Sequence, residues 1–591
     1  MGRGIGWRVL APYGVLAILV GLAYGAALGN GYVWDDRYFL TDYTRVRSYA
    51  EAFEYAFKPL FEGWIYLRPL PILLIHLEAL ATGHSPVLSH LVNLLIHLAC
   101  AVLVLALARG LVARRAGAVW RGLPLVLASA FAIHPALSEN VAWVSSRFDL
   151  MVTLFMLAGL LVSAQEHLAA GRRALCLGLL FFLAALCKES AVVFPPVLAL
   201  YTVLLAAARD GWGKVELRAA FTRREWLAYA VLFLAGLLYL GLRAWLVPGG
   251  SIRGAGGSSL EQHLVMAGLA LFKYAKLTLL PFVGNSPAHS FNWAGPGSWS
   301  AYALPLGLAA AGVLAMAVGL LRRRAWGWWL LAWVLAYGPV LHLLPLNIAG
   351  NIITQRFMYF PTALLLATLP AVLPALALSR PARRLAVVVG AGLALAAILV
   401  CRSIVPVWAN DLALWRWAVA MDPGSLDSRE NLIWAYIIQG DLPAAEAELR
   451  SLAEAGMETS VNVAVNLGAA YFSRGYVDEA RYYYEKARSA GPGPDPMRAS
   501  RLEANLASVY LVQSEHPQAY QAISGALELD PRNQLALAQL LLLCGEEGLE
   551  RFTVRESDLA VARSMLPTLR QNLVRRGAPQ EFPAQACEKS G

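Results

Sequence analysis

Val87-Leu-Ser-His-Leu-Val-Asn-Leu-Leu-Ile-His-Leu-Ala-Cys-Ala-Val-Leu-Val-Leu-Ala-Leu-Ala-Arg-Gly-Leu111 holds a single full charge, Arg109. A helix crossing a bilayer needs about 20 mostly apolar residues, so this stretch is long enough to cross alone. Upstream, Val9–Leu28 reads the same way, and downstream so does Trp226–Val247. The Ala-Leu-Gly at the end of the first run is a weak cleavage site, so that run is read as a retained span rather than a signal peptide. The remaining apolar runs are Leu123–Ile133, Leu150–Val162, Ala174–Cys187, Ala191–Ala208, Ala301–Leu321, Trp326–Leu344, Phe360–Leu378 and Leu385–Val405. Three of these (Leu123–Ile133, Leu150–Val162 and Ala174–Cys187) fall short of a full span and must extend into their polar flanks. The expected fold is all-α: a polytopic bundle of about 11 spans over residues 1–405. Composition agrees, with 58% hydrophobic and 15% charged residues and a mean hydropathy of +0.53; a soluble surface needs far more charge.

Arginine punctuates alternate loops. Arg3 and Arg8 precede the first run, and Arg109, Arg114, Arg115 and Arg121 follow the second. Arg172 and Arg173, then Arg209, Lys214, Arg218, Arg223 and Arg224, then Arg322, Arg323 and Arg324, then Arg380, Arg383 and Arg384 continue the pattern. The positive-inside rule makes that face cytoplasmic, the N-terminus included. An odd number of spans then leaves the C-terminal region outside. The net charge of +10 is thus a topology signal; no basic groove with interleaved aromatics is seen, and no nucleic-acid partner is expected. The six cysteines form no Cys-x-x-Cys pair and read as small buried hydrophobes rather than a disulfide framework or zinc site.

After Val405 the chain turns polar and repeats itself. Asn431-Leu-Ile-Trp-Ala-Tyr436, Asn466-Leu-Gly-Ala-Ala-Tyr471 and Asn505-Leu-Ala-Ser-Val-Tyr510 head three copies. Leu432, Leu467 and Leu506 are each followed 13 positions later by an alanine, Ala445, Ala480 and Ala519. The period is close to the tetratricopeptide repeat of about 34 residues, so 406–570 is expected to be a tetratricopeptide-repeat α-solenoid and 571–591 a disordered tail.

The candidate chemistry lies in the loops of the other face, which lack the arginine runs. The first of these, about 29–86, carries Trp34-Asp35-Asp36 at the mouth of a span. A carboxylate pair there is costly unless used, and one member can serve as general base toward a hydroxyl; the alternative is that the pair merely ends the span in water. His90 and His97 lie one heptad apart with Asn93 between them. His97 reads as a satisfied bundle residue, and His90 stays open between that and a polar cavity. No carboxylate stands at ligand spacing, so no metal is expected. His134-Pro-Ala-Leu-Ser-Glu139-Asn140, followed by Arg147-Phe-Asp149, packs an unusual polar inventory between two apolar runs. His134 and Arg147 suit a phosphate; a salt bridge from Arg147 to Glu139 or Asp149 is the alternative. Lys188-Glu189 and Gln355-Arg356-Phe-Met-Tyr359 interrupt apolar pairs at the same face, and Tyr274, Lys276, His289 and Asn292 fall in the loop after Trp226–Val247. Together Arg147, Lys188, Arg356 and His134 suggest an anion site at headgroup depth.

Trp34-Asp35-Asp36, Arg68-Pro-Leu, His90-x-x-Asn93-x-x-x-His97, His134-Pro-x-x-x-Glu139, Arg147-x-Asp149, Lys188-Glu189, Gln355-Arg356-x-x-Tyr359 and Trp408-x-Asn410-Asp411-x-x-x-Trp415 occur in an order that resembles the transmembrane and tetratricopeptide-repeat O-mannosyltransferases of the GT-C glycosyltransferase superfamily. The resemblance implies transfer of a mannose-like sugar from a polyprenyl phosphate to a hydroxyl of a protein or glycan, with inversion. It implies that Asp35 or Asp36 is the base, that Arg147, Lys188, Arg356 and His134 hold the donor phosphate, and that Glu139, Asp149, Glu189, Arg68, His90 and Tyr359 line the pocket. The lipid-linked sugar is then a substrate; no cofactor is called for, and a divalent metal is left open but not indicated. The acceptor can be held by the repeats. Arginine-rich, Ala/Leu/Gly-rich composition suggests a bacterial inner membrane, with the repeats periplasmic or extracellular. The rival readings are a non-enzymatic scaffold whose repeats bind peptide, and an O-antigen-ligase-like transferase.

Overall fold

The structure is a computed structural model that describes residues 7–37, 40, 46–59, 66–114, 120–210, 220–247, 259–291, 299–343, 351–373, 380–491 and 495–580. Among these the regular elements are all helical, with one isolated bridge between Ser290 and Asn351. The chain divides into two compact units, 1–425 and 426–591. The first thus reaches beyond the boundary expected at 405, because the short helix Asp411–Met421 packs onto the turn that ends the last long helix.

The first unit is a helical membrane bundle. Among the described residues seven of its helical stretches are long and apolar enough to cross a bilayer: Leu10–Gly29, Pro86–Arg114, Val144–Ser163, Glu189–Ala208, Arg223–Leu246, Tyr302–Leu321 and Arg384–Ala409. An eighth candidate is the pair Leu123–Ala132 and Pro135–Ala142, which bends by 47°. The bend has a local cause, since Pro135 has no amide proton to continue the first helix. Two runs expected to span are shorter here, Ala325–Ala336 and Tyr359–Thr368, with 12 and 10 residues, while Ala174–Cys187 becomes Ala170–Ala185, whose 16 residues still fall short of a full span. Pro86–Arg114 is the hub and packs against Leu123–Ala132, Arg147–Ser163 and Tyr359–Thr368. At the periphery Arg380–Ile404 leaves Leu385, Val388, Leu395 and Leu399 exposed, as expected of a lipid-facing helix. Small residues allow the closest approaches. A Cβ on Gly159 would sit 2.5 Å from the Phe194 ring, and one on Gly327 would sit 2.5 Å from the Gly319 backbone.

The stretch between Ile133 and Leu150, expected as a polar segment between two apolar runs, is wholly buried. It folds into two short helical turns around Ser138–Ala142 before Arg147 opens the next helix. Its polar side chains are therefore interior groups that need partners. Pro69–Thr82, inside the expected first external loop, is a helix of 14 residues that buries Ile72, Ile75, His76 and Glu78.

In the second unit helices fall in pairs at the repeat positions: Leu426–Gln439 with Leu442–Glu454, Val461–Ser473 with Val477–Ala490, and Pro496–Val512 with His516–Leu529. Ala445, Ala480 and Ala519 are each fully buried, the small residue giving room for the partner helix. Gly468 does the same in the second pair, where a Cβ would meet the Tyr484 ring at 2.7 Å. Gly468→Val is expected to lower stability by about 1–3 kcal/mol through overpacking, read as an earlier denaturant midpoint for this unit in the full chain. The last helix, Glu556–Arg575, runs past the expected start of the tail at 571, and 581–591 lie outside the described residues. Cys100, Cys176, Cys187 and Cys401 are free, but Cys544 is disulfide-bonded, which corrects the reading of all six as unpaired.

Candidate active site

The loop after the first long helix is short of propensity and rich in tertiary pins. Asn30 donates to the Val405 carbonyl at 3.0 Å, and the Gly31 amide donates to Ala409 O at 3.0 Å. Trp34 then adopts φ +53, a left-handed conformation that bulky residues rarely take. Its ring stacks on Trp143 at 4.7 Å and meets Trp415 edge-on at 5.1 Å. The single helical turn Asp35–Arg37 follows.

The two aspartates of that turn have different surroundings. Asp36 is fully buried. One carboxylate oxygen accepts the Ser145 amide at 2.7 Å and the Ser145 hydroxyl at 2.5 Å, and the other accepts the Val33 amide at 3.2 Å. Asp35 is partly exposed, and among the described residues its carboxylate has no hydrogen-bond donor. Burial raises its pKa, while the charges of Arg356 and Arg68 pull it down.

Burial pushes the Asp36 carboxyl up to about 7, against the lowering effect of Ser145 and Val33. The folded state therefore holds that proton more tightly than the unfolded chain, whose carboxyl titrates near 4. The stability tied to Asp36 is full below about pH 4 and is lost as pH rises through about 7. Thermal unfolding of the detergent-solubilised protein should show this slope. Asp36→Asn should flatten it, at a cost of about 1–3 kcal/mol for a Val33 amide left facing another donor.

Around this turn the expected cations gather, but each arrives with an acid. Arg147 is fully buried and donates to Glu78 at 2.6 Å, Asn93 at 2.8 Å and the Ser89 carbonyl at 2.6 Å. Neither Glu139 nor Asp149 pairs with it. Lys188 bonds both oxygens of Asp149 at 2.6 Å and lies over the Phe357 ring. Arg68 bonds Glu189 at 2.8 Å and covers Phe148 and Tyr66. Arg356 lies 5.4 Å from both the Trp34 and Trp143 rings, and its Nη1 stands 3.5 Å from Glu139 without a hydrogen bond. Glu139 is anchored instead by the Arg356 amide, and Asn140 holds the Arg356 carbonyl. The expected anion site of Arg147, Lys188, Arg356 and His134 is therefore corrected: the three cations stand beside acids, as does Arg68, and His134 lies apart. Arg356, the loosest of them, is 20% exposed at its side chain.

Other expected site residues lie elsewhere. Tyr359 and His97 bond each other at 2.7 Å inside the bundle, and the second ring nitrogen of His97 faces the Ala132 carbonyl. Tyr359 thus faces the core because the helix begun at residue 359 turns it away from Arg356. His134 contacts the Thr278 carbonyl at 3.2 Å and shares no partner with Arg147, so the two do not form a joint phosphate site. His90 contacts the Gly31 carbonyl at 3.3 Å, behind the loop. Tyr274 and Lys276 belong to the helix Leu260–Leu279, not to a loop, and Tyr274 stacks on Tyr337 at 4.1 Å. His289 pairs through its backbone with Asn351 and Ile352, and Asn292 lies outside the described residues. Glu78, Ser145 and Trp143 were missed. Glu78 had a signal, since it is the sole acid in an apolar helix.

A small cavity of about 30 Å³ lies beside this network. Val152, Met156, Val193 and Phe360 line it, together with Asp149 and Phe357, the two groups that contact Lys188. Among the described residues no cluster of metal-ligating side chains occurs.

The chain is similar to proteins named protein O-mannosyl-transferases. It is 31% identical over 223 residues to Protein O-mannosyl-transferase Tmtc1 of Drosophila melanogaster, covering 36% of this chain and 25% of that one. It is 31% identical over 170 residues to Protein O-mannosyl-transferase TMTC1 of Homo sapiens, covering 27% and 18%. With Protein O-mannosyl-transferase Tmtc2 of Drosophila melanogaster the identity is 34% over 197 residues, covering 31% and 20%. The chain spans a quarter or less of the length of these relatives. No protein-family model matches it, and no solved structure does.

Proposed function

We propose that this protein is a membrane glycosyltransferase that moves a mannose-like sugar from a polyprenyl phosphate to a hydroxyl of a protein or glycan. The names of its relatives support the reaction class. The observation that carries it is Asp35, a carboxylate without a described donor, set in the mouth of the bundle with Arg356 and Arg68 in electrostatic reach. Asp35 takes the acceptor proton, the acceptor oxygen attacks the anomeric carbon, and the sugar–phosphate bond breaks on the opposite side. In-line displacement inverts that carbon. Asp36 holds the turn and does not meet the acceptor.

The departing phosphate needs a cation that can exchange partners. Arg147 has none to exchange, because each of its nitrogens already donates to the fold. Arg356 is the group best suited, since its contact with Glu139 is long and its side chain is partly open. Lys188 assists from the Asp149 pair, with the Phe357 ring beneath its ammonium group. Arginine in alternate loops supports an external face for this site.

The test is a vesicle-reconstituted assay with a panel of polyprenyl-phosphate monosaccharides and a serine/threonine peptide or glycan acceptor. The reading requires that wild type consume one donor, that Asp35→Asn stop turnover, and that Asp36→Asn reduce it far less. Turnover untouched by Asp35→Asn ends it. Consumption only of polymeric pyrophosphate donors favours the ligase-like alternative.

A further inference from the structure

The sequence motif Trp408-x-Asn410-Asp411-x-x-x-Trp415 has no part in the chemistry above, yet it makes two contacts with the catalytic turn. Asp411 is 5% exposed. One of its carboxylate oxygens accepts the Trp34 amide at 2.7 Å, and the other accepts Arg37 Nε at 2.5 Å. The residues bonded are those immediately before and immediately after the Asp35-Asp36 pair. One carboxylate therefore brackets the whole turn. Trp415, one helical turn further along, adds its edge to the Trp34 ring. The helix that presents both is fixed at its start, where Asn410 caps it by accepting the Ala413 amide at 2.9 Å. The preceding residues are tied to the same loop through Asn30 and Gly31.

We propose that Asp411 is the positioning residue of the site, which holds Trp34 in its left-handed backbone conformation and so aims Asp35 at the acceptor. Asp36 fixes the turn from below by accepting Val33 and Ser145. The Asp36 amide also donates to the Val33 carbonyl at 3.0 Å and closes the turn around residue 34, whose backbone sets where Asp35 points. The Trp34 amide supplies a further restraint, and Asp411 is its acceptor. Arg37 neutralises the Asp411 charge and closes the other end of the turn. The inference rests on the reading of Asp35 as base, but its structural half can be measured without any activity.

The experiment compares wild type with Asp411→Ala and Asp411→Asn in reconstituted full-length protein. It reads kcat, donor KM and amide hydrogen exchange in peptides spanning residues 33–37. Asp411→Ala is expected to speed exchange at residue 34 and to lower kcat by about 10²-fold, with donor KM nearly unchanged because the phosphate contacts are not touched. Asp411→Asn keeps an acceptor for Trp34 but meets Arg37 with a donor. It should protect the amide of residue 34, loosen residue 37 and retain more of kcat than the alanine variant. Should the alanine variant fail to fold, the asparagine pattern decides. Unchanged exchange across residues 33–37 in every variant that folds overturns the inference, as does a kcat loss matched by an equal rise in KM. If wild type transfers no sugar at all, the functional reading falls, and exchange alone then decides whether Asp411 holds the turn.

Discussion

Asp35→Asn should lower the rate of sugar transfer by about 10²–10⁴-fold, the usual contribution of a general base, and leave the bundle folded. The second half of that expectation follows from the structure, because Asp35 has no hydrogen-bond donor among the described residues and its loss strands no buried partner. The pH dependence gives a second check. Burial raises the Asp35 pKa from its ordinary value, opposed by Arg356 and Arg68. A base acts only when ionised, so kcat/KM falls as pH drops through that raised value, and the acidic limb should stand above the usual carboxylate range. Removing a cation that stabilises the ionised form pushes the pKa further up. Arg68→Met should therefore move the acidic limb to higher pH, a shift that loss of Arg68 packing alone does not produce. A limb that stays in place in Arg68→Met, or an Asp35→Asn enzyme with wild-type kcat, would remove Asp35 from the role of base.

The membrane bundle was legible because length and hydropathy are local properties. Val87–Leu111 needs no partner to declare itself, and the helix found there extends it only slightly, to Pro86–Arg114. Where the reading strayed, the cause is tertiary. The run Leu123–Ile133 was expected to reach a full span through its polar flanks, but Pro135 bends its continuation and the polar segment beyond is folded inward. Sequence showed that His134, Glu139, Arg147 and Asp149 were dense in charge; it did not show that this density is buried.

Partner choice was the least legible part of the site. Arg147 has two carboxylates close in sequence, Glu139 and Asp149, and each was a fair partner by spacing. It takes Glu78, 69 positions away, since Glu139 goes to Arg356 and Asp149 to Lys188. Every assignment depends on which helices meet. The difference between Asp35 and Asp36 is subtler, because adjacent identical residues are separated only by the backbone of Trp34 and the depth of one turn. Helix and turn propensities do not anticipate a tryptophan at positive φ. Tyr359 was misplaced for a related reason: three residues after Arg356, at the start of a helix, a side chain faces a different way.

Arg147→Ala is expected to be the most damaging substitution to the fold. It leaves Glu78, 5% exposed, as an unpaired carboxylate in the bundle and frees Asn93 and the Ser89 carbonyl of their donor. Breaking one side of such a pair costs about 3–5 kcal/mol, a large share of a typical stability of about 5–15 kcal/mol. Loss of folded protein in detergent chromatography and an earlier unfolding temperature are the expected readings. Replacing both partners, with Arg147→Met and Glu78→Leu, removes the stranded charge and should restore most of the loss; the residual deficit belongs to Asn93 and Ser89. This pair of variants also separates two roles that a single substitution confuses. If Arg147 is a strut, the doubly substituted protein, once folded, transfers sugar with the donor KM of wild type. If Arg147 instead met the donor phosphate, the same protein folds but its donor KM rises steeply, and the assignment of that contact to Arg356 fails.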